Sequence, residues 1–427
     1  MIELVVERNP GELRIAVRED GRTLDVQLDR GSAASRVGAV HLARAARVEP
    51  GLGAFLDIGG RVPAFLPEGR EKVVEGSALL VQVTKDELAG KGPEVSRGVV
   101  LDGGALALTS VQPGIAVSRK LSESVRKRLR AEVQAIVGGA DPSPGVLVRA
   151  AAGGAEDLAG IWRDLQEEWR RIEERLVGAP PVLLQAAPDP VVLRLRQARP
   201  ARMIAGDAAT AARLRGLAAV EVEKIDRAFE VLGIEDELAR ALAREIDIPG
   251  GRLVVEEGET LTAIDVNGTG ERLAFCIAAA KEIGRLVRLR NLGGTLVVDF
   301  PFVDGKADRD RIDAAMKAAV EADPQPVECL GWTRAGLYEM TRPRLGPSLA
   351  ARLVEVPASR PTIESAALAA LRALARAEGG RLRLTASPEV IGWLEGAGAA
   401  ALVEAGREVA LEAEPRYSRD RFDVVRN

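Results

Sequence analysis

Two aspartates and one asparagine occupy strand ends at which their side chains could hold a metal ion. In GGRLVVEEGETLTAIDVNGTG an apolar strand ends at Asp265, and Asn267 follows on the same face of the extended chain. A helix-forming stretch then leads through a glycine stop into TLVVDF, a second apolar strand that ends at Asp299. In such a β-α-β unit the consecutive strands lie side by side and parallel. We therefore expect Asp265 and Asp299 to meet at the carboxyl edge of one sheet.

Two carboxylates with an amide oxygen nearby form an oxygen-only donor set of the kind that Mg²⁺ or Mn²⁺ takes, with waters and a substrate phosphate completing an octahedron. Such a metal could lower the pKa of a bound water and neutralise charge that develops on a phosphate. Phosphodiester hydrolysis is the natural chemistry of this set. The pattern alone leaves a structural alternative open, because an acid that ends a buried strand is often a helix cap or a turn former.

The composition restricts the chemistry further. The one histidine of the chain, His41, excludes an HExxH zinc helix and paired histidine catalysis, and its place in GAVHLARAARV indicates a structural residue on a strand. Cys276 and Cys329, the two cysteines, offer neither a disulfide framework nor a metal cluster, so a reducing cytoplasm is expected. If the chain is an enzyme, carboxylates must carry its chemistry.

Length and charge limit the architecture and the partners. A chain of 427 residues is too long for one core and predicts several domains. The net charge of −4 disfavours coating of nucleic acid by global attraction, so any such contact must be local. No apolar run approaches the roughly 18 residues of a membrane span, and MIELVVERNPGE lacks the pattern of an export signal. A cytoplasmic protein is expected.

Periodicity predicts strands first and helices later. The first thirty residues predict a β-meander, and short strands from about Gly38 to Arg97 predict a small barrel. Helices are predicted in SESVRKRLRAEVQAIV and in AEDLAGIWRDLQEEWRRIEERLV, where Trp162 and Trp169 are interpreted as packing residues. Between Val182 and Ile248, short strands (VVLRLRQ, ARMIAG) alternating with helices such as IEDELARALAREI indicate an α/β region.

Three ordered motifs, TLTAIDVN, EIGRLVRLRNLGGTLVVDF and RAGLYEMTRPRLGPSL, resemble the catalytic core of the ribonuclease E/G family, and weaker similarity covers nearly the whole chain. The resemblance implies an endoribonuclease that uses Mg²⁺, with Mn²⁺ as an alternative, cuts single-stranded RNA and leaves 5′-phosphate ends. It implies that Asp265 and Asp299 hold the metal and that Asn267 assists. Two alternatives stay open: an RNA-binding regulatory relative with weak or lost catalysis, and a metal phosphodiesterase acting on DNA or small nucleotides.

The resemblance also implies an α/β multidomain architecture. It consists of a ribonuclease H-like fold with an inserted OB-type, S1-like barrel, a 5′-sensor segment, a DNase I-like catalytic subdomain and a small C-terminal α/β domain. The expected boundaries are, in order, 1–35 (first ribonuclease H-like segment), 36–97 (barrel), 98–190 (5′ sensor), 191–247 (second ribonuclease H-like segment), 248–350 (catalytic subdomain) and 351–427 (C-terminal domain).

The stretch VEPGLGAFLDIGGRVPAFLP matches the family's barrel and contains Phe55 and Phe65, two of only seven phenylalanines. Base stacking on exposed aromatic side chains contributes roughly 1–3 kcal/mol for each base. Sequence pattern alone favours core positions for both rings, whereas the resemblance favours contact with RNA. The resemblance also implies that Lys91, in LAGKGPEV, pairs with a backbone phosphate.

A 5′-phosphate pocket is the next expectation from the resemblance, because the family uses a glycine, a small loop, two arginines and a threonine. Here Gly103 and the loop around Ala107 supply the glycine and the loop, and Arg119 and Arg149 supply the cations, while Ala150 replaces the threonine. A weakened pocket is therefore expected. The alternative is that the two arginines form surface ion pairs.

The sequence departs from the family in two places. The stretch PSLAARLVEVPASRPTIES has no cysteine where the family carries a Cys-Pro-x-Cys zinc link, so no zinc is expected, and a homodimer, if formed, would use a protein interface. The connection after IDVNGTG looks shorter than usual by about one loop, which could alter turnover. Beyond it, Arg285, Arg288 and Arg290 could line an RNA path or form a solvated helix face.

Overall fold

The computed structural model describes residues 1–30, 35–69, 72–87, 91–119, 121–155, 157–269, 271–301, 303, 305–355 and 360–426. The chain divides into two compact units. Unit 1 combines Met1–Ala34 with Pro200–Asn427, and unit 2 is the intervening Ser35–Arg199. Within the described ranges, no helix has the length and apolarity needed to cross a bilayer.

The regular elements are numbered in chain order. The strands are β1 (Ile2–Asn9), β2 (Glu12–Glu19), β3 (Arg22–Arg30), β4 (Val40–Glu49), β5 (Gly53–Asp57), β6 (Ala64–Pro67), β7 (Ala78–Lys85), β8 (Glu94–Ser96), β9 (Val100–Asp102), β10 (Leu106–Thr109), β11 (Ile115–Val117), β12 (Gly145–Val148), β13 (Val182–Gln185), β14 (Arg202–Ala205), β15 (Glu221–Lys224), β16 (Glu245–Ile248), β17 (Gly251–Glu257), β18 (Leu261–Gly268), β19 (Gly294–Asp299), β20 (Glu328–Trp332), β21 (Tyr338–Arg342), β22 (Val354–Glu355), β23 (Arg360–Pro361), β24 (Leu382–Ala386), β25 (Val409–Ala413) and β26 (Phe422–Arg426). The helices are α1 (Glu123–Val137), α2 (Leu158–Glu174), α3 (Pro190–Ala198), α4 (Ala208–Leu217), α5 (Ala228–Val231), α6 (Ile234–Leu242), α7 (Arg272–Leu289), α8 (Lys306–Val320), α9 (Leu349–Leu353), α10 (Ile363–Arg376), α11 (Pro388–Glu395) and α12 (Ala399–Glu404).

The first sheet of unit 1 has five strands in the order β15-β14-β1-β2-β3. Strands β1, β2 and β3 form the antiparallel meander that the sequence predicts, and β14 adds to β1 in parallel. Val5, Ala16 and Ile204 lie on its buried face and join the hydrophobic core that also contains α5, α6 and α7. This sheet therefore shares one core with the region that holds the two aspartates.

The second sheet of unit 1 has six strands in the order β16-β17-β18-β19-β21-β20. Strands β18 and β19 are parallel neighbours joined by α7, which confirms the predicted β-α-β unit. Residues alternate along β18: Ile264 and Val266 are buried in the core that α7 and α8 share, whereas Asp265 is exposed. Burial of one face fixes the register of the strand and so presents the other set of side chains to solvent.

A three-stranded sheet, β25-β24-β26, and helices α10 to α12 form the C-terminal region of unit 1. Its hydrophobic cluster, which includes Leu371 and Leu384, is separate from the core of the two larger sheets. Helix α10 is tied to the first sheet by ion pairs, with Arg372 2.8 Å from Glu12 and the Arg376 side chain 3.2 Å from Glu7.

Unit 2 contains a closed barrel of five strands in the order β4-β5-β6-β8-β7, and pairing of β7 with β4 completes the closure. The predicted small barrel is confirmed. Gly53 enters β5 at a φ of 147°, where a Cβ would lie 2.2 Å from the carbonyl oxygen of Leu66. His41 is buried, and burial, followed by the charge of Arg36, lowers its pKa to about 4. The histidine is therefore a neutral structural residue, as predicted.

The rest of unit 2 is a four-stranded sheet, β11-β12-β10-β9, against which α1 and α2 pack. Trp162 is buried in this core and Trp169 packs against it, so the interpretation of both as packing residues is confirmed. One predicted strand is wrong, because VVLRLRQ forms helix α3. The carboxylate of Asp189 accepts hydrogen bonds from the first backbone N–H groups of α3, and Pro190 occupies its first turn.

Candidate functional site

Asp265 and Asp299 are register partners on two neighbouring parallel strands, as the sequence predicts. Both are the exposed residues of alternating strand ends, and the residues beside them along each strand are buried. Opposed side chains in a sheet lie within roughly 4.5–5.5 Å at their Cβ atoms. The fold therefore places two carboxylates side by side at the carboxyl edge of the six-stranded sheet.

Asn267 lies on the same face as Asp265, two residues further along β18. Its side-chain Nδ2 donates a hydrogen bond to Oδ2 of Asp265 at 2.6 Å. Because the nitrogen donates to Asp265, the Oδ1 atom of Asn267 is the acceptor end of the amide. The asparagine thus orients one carboxylate and adds a third oxygen to the site.

Two glycines, Gly268 at the end of β18 and its register partner Gly251 on β17, shape the chain beside these residues. A Cβ on Gly268 would lie 2.2 Å from the ring of Phe275 in α7, and a Cβ on Gly251 would lie 2.1 Å from the carbonyl oxygen of Asn267. Both positions therefore require glycine if the end of β18 is to pass over the helix. Residue 270, within the connection that the sequence suggests is short, lies outside the described residues.

The β20–β21 hairpin brings a cation to the same edge, one that sequence reasoning missed. Strands β19 and β21 are antiparallel and their pairing ends at Val298 opposite Tyr338, so the hairpin turn lies beside the chain end that carries Asp299. Thr333 closes this turn with hydrogen bonds to Gly336 and Leu337.

Arg334 is an exposed residue of that turn. The signal for it was present in the sequence, because Arg334 opens the motif RAGLYEMTRPRLGPSL. Only the strand pairing shows that this motif reaches the carboxyl edge. A guanidinium at this edge suits a phosphate, because its N–H groups can donate two parallel hydrogen bonds to phosphate oxygens.

The donor set fits a hard divalent cation. It consists of carboxylate and amide oxygens that are exposed and adjacent, which leaves room for water ligands. Within the described ranges no group of three or more His, Cys, Asp and Glu side chains is placed to hold a metal. A site with two carboxylates therefore suits Mg²⁺, which keeps several waters, better than an ion that needs a closed protein cage.

In unit 2, Phe55 and Phe65 are register partners on β5 and β6. Both rings are half-buried, and their centroids are 5.5 Å apart at an interplanar angle of 52°. The barrel's interior is filled by other residues, among them Leu56 and Ala64. Lys91 is exposed and lies two residues before Pro93, whose carbonyl oxygen accepts a hydrogen bond from the backbone of Phe65. The three predicted RNA-binding residues are thus grouped at β6.

The predicted 5′-phosphate residues are also neighbours within unit 2. Strands β11 and β12 are parallel, and Arg119 and Arg149 follow their ends. Gly103 faces α2, where a Cβ would lie 2.7 Å from the Ile161 side chain. Arg149, however, is 3.3 Å from the carboxylate of Asp102. An ion pair, the alternative that the sequence leaves open, therefore holds one of the two cations.

The loop residue Ala107 lies on β10 and is fully buried. It pairs with Asp102 on β9 and with Leu147 on β12. Ala107 thus belongs to the same sheet as β11 and β12, whose ends Arg119 and Arg149 follow, and its side chain is buried in the packed interior. Its contribution to a phosphate site would be through the backbone.

Arg285, Arg288 and Arg290 are largely buried and ion-paired. The two interpretations from the sequence, an RNA path and a solvated helix face, are therefore wrong. Arg285 lies 2.6 Å from Glu282, Arg288 lies 3.3 Å from Asp25, and Arg290 lies 2.5 Å from Glu257. Their side chains are 13%, 13% and 4% exposed. They are structural ties within unit 1, and Arg288 and Arg290 reach partners that are remote in sequence.

Comparison with known proteins identifies the family of the chain. A family model described as the ribonuclease E/G family matches residues 100–345. Ribonuclease G of Salmonella typhimurium (strain SL1344) is 28% identical over 489 residues, which covers 99% of this chain and 99% of that protein. Ribonuclease G of Haemophilus influenzae is 29% identical with the same coverage. Ribonuclease E of the same organism is 29% identical over 79% of this chain and 41% of its own length.

These proteins define a class of RNA-cleaving hydrolases. The chain belongs to the ribonuclease E/G family, because the family model covers more than half of its residues. The resemblance drawn from the sequence motifs is confirmed, and so is the enzyme class, an endoribonuclease of the ribonuclease E/G type.

Proposed function

We propose that this chain is a Mg²⁺-dependent endoribonuclease that cuts single-stranded RNA in RNA processing or decay and leaves 5′-phosphate ends. The observation that carries the proposal is the register pairing of Asp265 with Asp299 at an exposed sheet edge, with Asn267 bonded to the first of them. The family assignment supplies the substrate class. Mn²⁺ is the alternative metal, and the absence of a zinc-link motif from the sequence means that no zinc is expected.

Each polar residue at the carboxyl edge of the six-stranded sheet would have a separate role. Asp265 and Asp299 would hold the ion, which when bound lowers the pKa of a water and neutralises charge on the phosphate. Asn267 orients Asp265, and its Oδ1 would accept a hydrogen bond from a water. Arg334, on the adjacent hairpin, is a positioning residue for the phosphate.

The chemistry is a displacement at phosphorus. Attack by water forms a new phosphorus–oxygen bond, and the bond between phosphorus and the 3′ oxygen breaks, which leaves a 5′-phosphate and a 3′-hydroxyl. The attacking water must lose a proton and the departing 3′ oxygen must gain one, and a carboxylate of this edge or a solvent water would carry that proton. No histidine is available for that role at neutral pH, because the one histidine is buried in the barrel.

Binding would fall to unit 2. Phe55 and Phe65 would stack bases and Lys91 would pair with a backbone phosphate. Gly103, Arg119 and Arg149 would form a weakened 5′-phosphate site. In this proposal unit 2 combines the S1-like barrel with the 5′ sensor, and the sheets of unit 1 correspond to the ribonuclease H-like fold, the DNase I-like catalytic subdomain and the small C-terminal domain. A homodimer through a protein interface and a cytoplasmic location stay predictions.

An RNA-binding relative without catalysis is the second candidate. The departure that favours it is the short connection after Asn267, since substrate contacts could be lost there. Mg²⁺-dependent cleavage of end-labelled single-stranded RNA by the wild-type protein, absent in Asp265→Asn, supports the enzyme. Binding of the same RNA without cleavage by either protein would support the regulatory relative instead.

A further inference from the structure

An arginine extends the pair of phenylalanines on the barrel into a row across three strands. Arg47 on β4 is the register partner of Phe55 on β5, which is the partner of Phe65 on β6. The guanidinium carbon of Arg47 lies 4.5 Å from the centroid of the Phe55 ring. A cation at this distance over an aromatic face is attracted by the ring.

The fold gives Arg47 little structural role. Its side chain is 61% exposed, and that of its ion-pair partner Glu49, at 2.8 Å, is 39% exposed. Exposed ion pairs of this kind contribute about 0–1 kcal/mol to stability. Two other cations of unit 2 have different partners, because Lys85 pairs with Glu94 at 2.8 Å and Arg44 donates to the carbonyl oxygen of Pro180. Arg47 differs from them in lying over the Phe55 ring.

We propose that Arg47 binds the RNA phosphate next to the nucleotide whose base stacks on Phe55, and that Glu49 holds the guanidinium in place until the phosphate replaces it. The inference rests on the proposed RNA-binding role of the barrel and adds an anion contact to it. A guanidinium held over a ring by this attraction still has N–H groups that can donate charge-assisted hydrogen bonds to phosphate oxygens. Because the whole chain is acidic, such a contact must be local.

The test is the salt dependence of RNA binding, measured by fluorescence anisotropy of a labelled oligouridine with full-length protein in EDTA, so that cleavage does not interfere. Loss of one phosphate contact on a single strand lowers the slope of log K against log salt by about 0.7. Arg47→Gln should show this reduced slope and weaker binding at low salt. Arg47→Lys should keep the slope, and Glu49→Gln should bind more tightly than the wild type.

Arg381→Gln is the matched control, because Arg381 is an exposed arginine paired with Glu408 at 3.0 Å in the C-terminal region of unit 1. Its slope should equal that of the wild type. An unchanged slope in Arg47→Gln, or an equal loss in Arg381→Gln, overturns the inference. Mg²⁺-dependent cleavage is measured separately on the same proteins. If cleavage by the wild type persists while the slope is insensitive to Arg47, the inference fails and the proposed function stands.

Discussion

Asp265 and Asp299 in unit 1 and the row formed by Arg47, Phe55 and Phe65 in unit 2 both consist of register partners on neighbouring strands. The two regions differ in how their charges are balanced. Asp265 and Asp299 are like charges directly opposite each other, an arrangement that destabilises a sheet. On the barrel, a cation lies over an aromatic ring and beside a carboxylate, so its charge is offset. The two aspartates thus keep an unfavourable arrangement of charge that the fold does not require, whereas the charges on the barrel are locally balanced. The first suits chemistry and the second suits binding.

The largest expected effect comes from the carboxylates. Asp265→Asn or Asp299→Asn should reduce Mg²⁺-dependent cleavage by roughly a thousandfold or more, because metal stabilisation of the transition state is worth several kcal/mol. Affinity for RNA should change little. Removing the like charge should also raise the free energy of unfolding by up to about 1 kcal/mol.

Single-turnover cleavage and urea unfolding of the same proteins measure both quantities. Asp310→Asn, at an exposed position of α8 in the same unit, is the control and should alter neither. Loss of stability along with activity in either variant would show that the two aspartates stabilise the fold, and would contradict a purely catalytic role.

The aromatic pair should give the next largest effect. Phe55→Ala and Phe65→Ala should each weaken binding of single-stranded RNA by about 1–3 kcal/mol, or roughly 5- to 150-fold. At saturating RNA the cleavage rate should be close to that of the wild type. Val111→Ala, which removes an exposed apolar side chain of the same unit, is the control. Wild-type affinity for RNA in all three variants would mean that the two rings only pack against each other.

The sequence predicts the features of the site that local pattern determines. Strand ends, a helix and a glycine stop are enough to bring Asp265 and Asp299 to one edge, and alternation with turn residues is enough for the barrel. The wrong prediction of a strand at α3 also has a local cause. The helix-capping signal of Asp189 and Pro190 outweighs the strand propensity of the apolar residues that follow.

The features that the sequence could not predict depend on partners that are distant along the chain. Arg288 forms an ion pair with Asp25 in the first sheet, and no local sequence pattern near either residue predicts this pair. Arg334 reaches the carboxyl edge only because β21 pairs with β19. Arg149 is paired with Asp102 across two strands, which sequence reasoning left as one of two alternatives.

Acid should lower the stability of unit 2 through the titration of His41. The folded-state pKa of His41, about 4, lies below the ordinary value of 6.5, so the unfolded chain binds more protons between these values. Stability of unit 2 is therefore complete above the ordinary value and is lost as the pH falls through this window. The loss between pH 7 and pH 5 should be on the order of 2 kcal/mol.

Urea unfolding of the wild type and of His41→Leu, followed at both pH values, measures this effect. The leucine variant should lack the His41 contribution to the pH dependence, because it removes the titrating group from the barrel. The same acid-induced loss in both proteins would show that another group is responsible.

A smaller effect is expected at the 5′ end of the RNA. The wild type should cleave 5′-monophosphorylated RNA somewhat faster than 5′-hydroxyl RNA, and Arg149→Ala should largely remove a preference worth about 1 kcal/mol. Asp102→Asn should increase the preference, because it releases Arg149 from its ion pair at 3.3 Å. Paired cleavage rates on the two RNAs decide this. Equal rates with the wild type would contradict the assignment of the pocket.

No effect is expected from zinc removal. The sequence has two cysteines, Cys276 and Cys329, and lacks the Cys-Pro-x-Cys motif in PSLAARLVEVPASRPTIES, of which residues 356–359 lie outside the described ranges of the chain. Elemental analysis of the purified protein should find no zinc in a fixed ratio, and a zinc chelator should not alter its oligomeric state. Stoichiometric zinc would contradict this expectation.

The role of the two aspartates is tested most directly by cleavage of an end-labelled single-stranded RNA by the wild type and by the Asp265→Asn/Asp299→Asn double variant, each with Mg²⁺ and with EDTA. We predict internal cuts by the wild type in Mg²⁺ alone, with products that carry 5′-phosphate and 3′-hydroxyl ends, while the double variant still binds the RNA and leaves it intact. Cleavage by the double variant at the wild-type rate, or in EDTA, would contradict the assignment of the two aspartates.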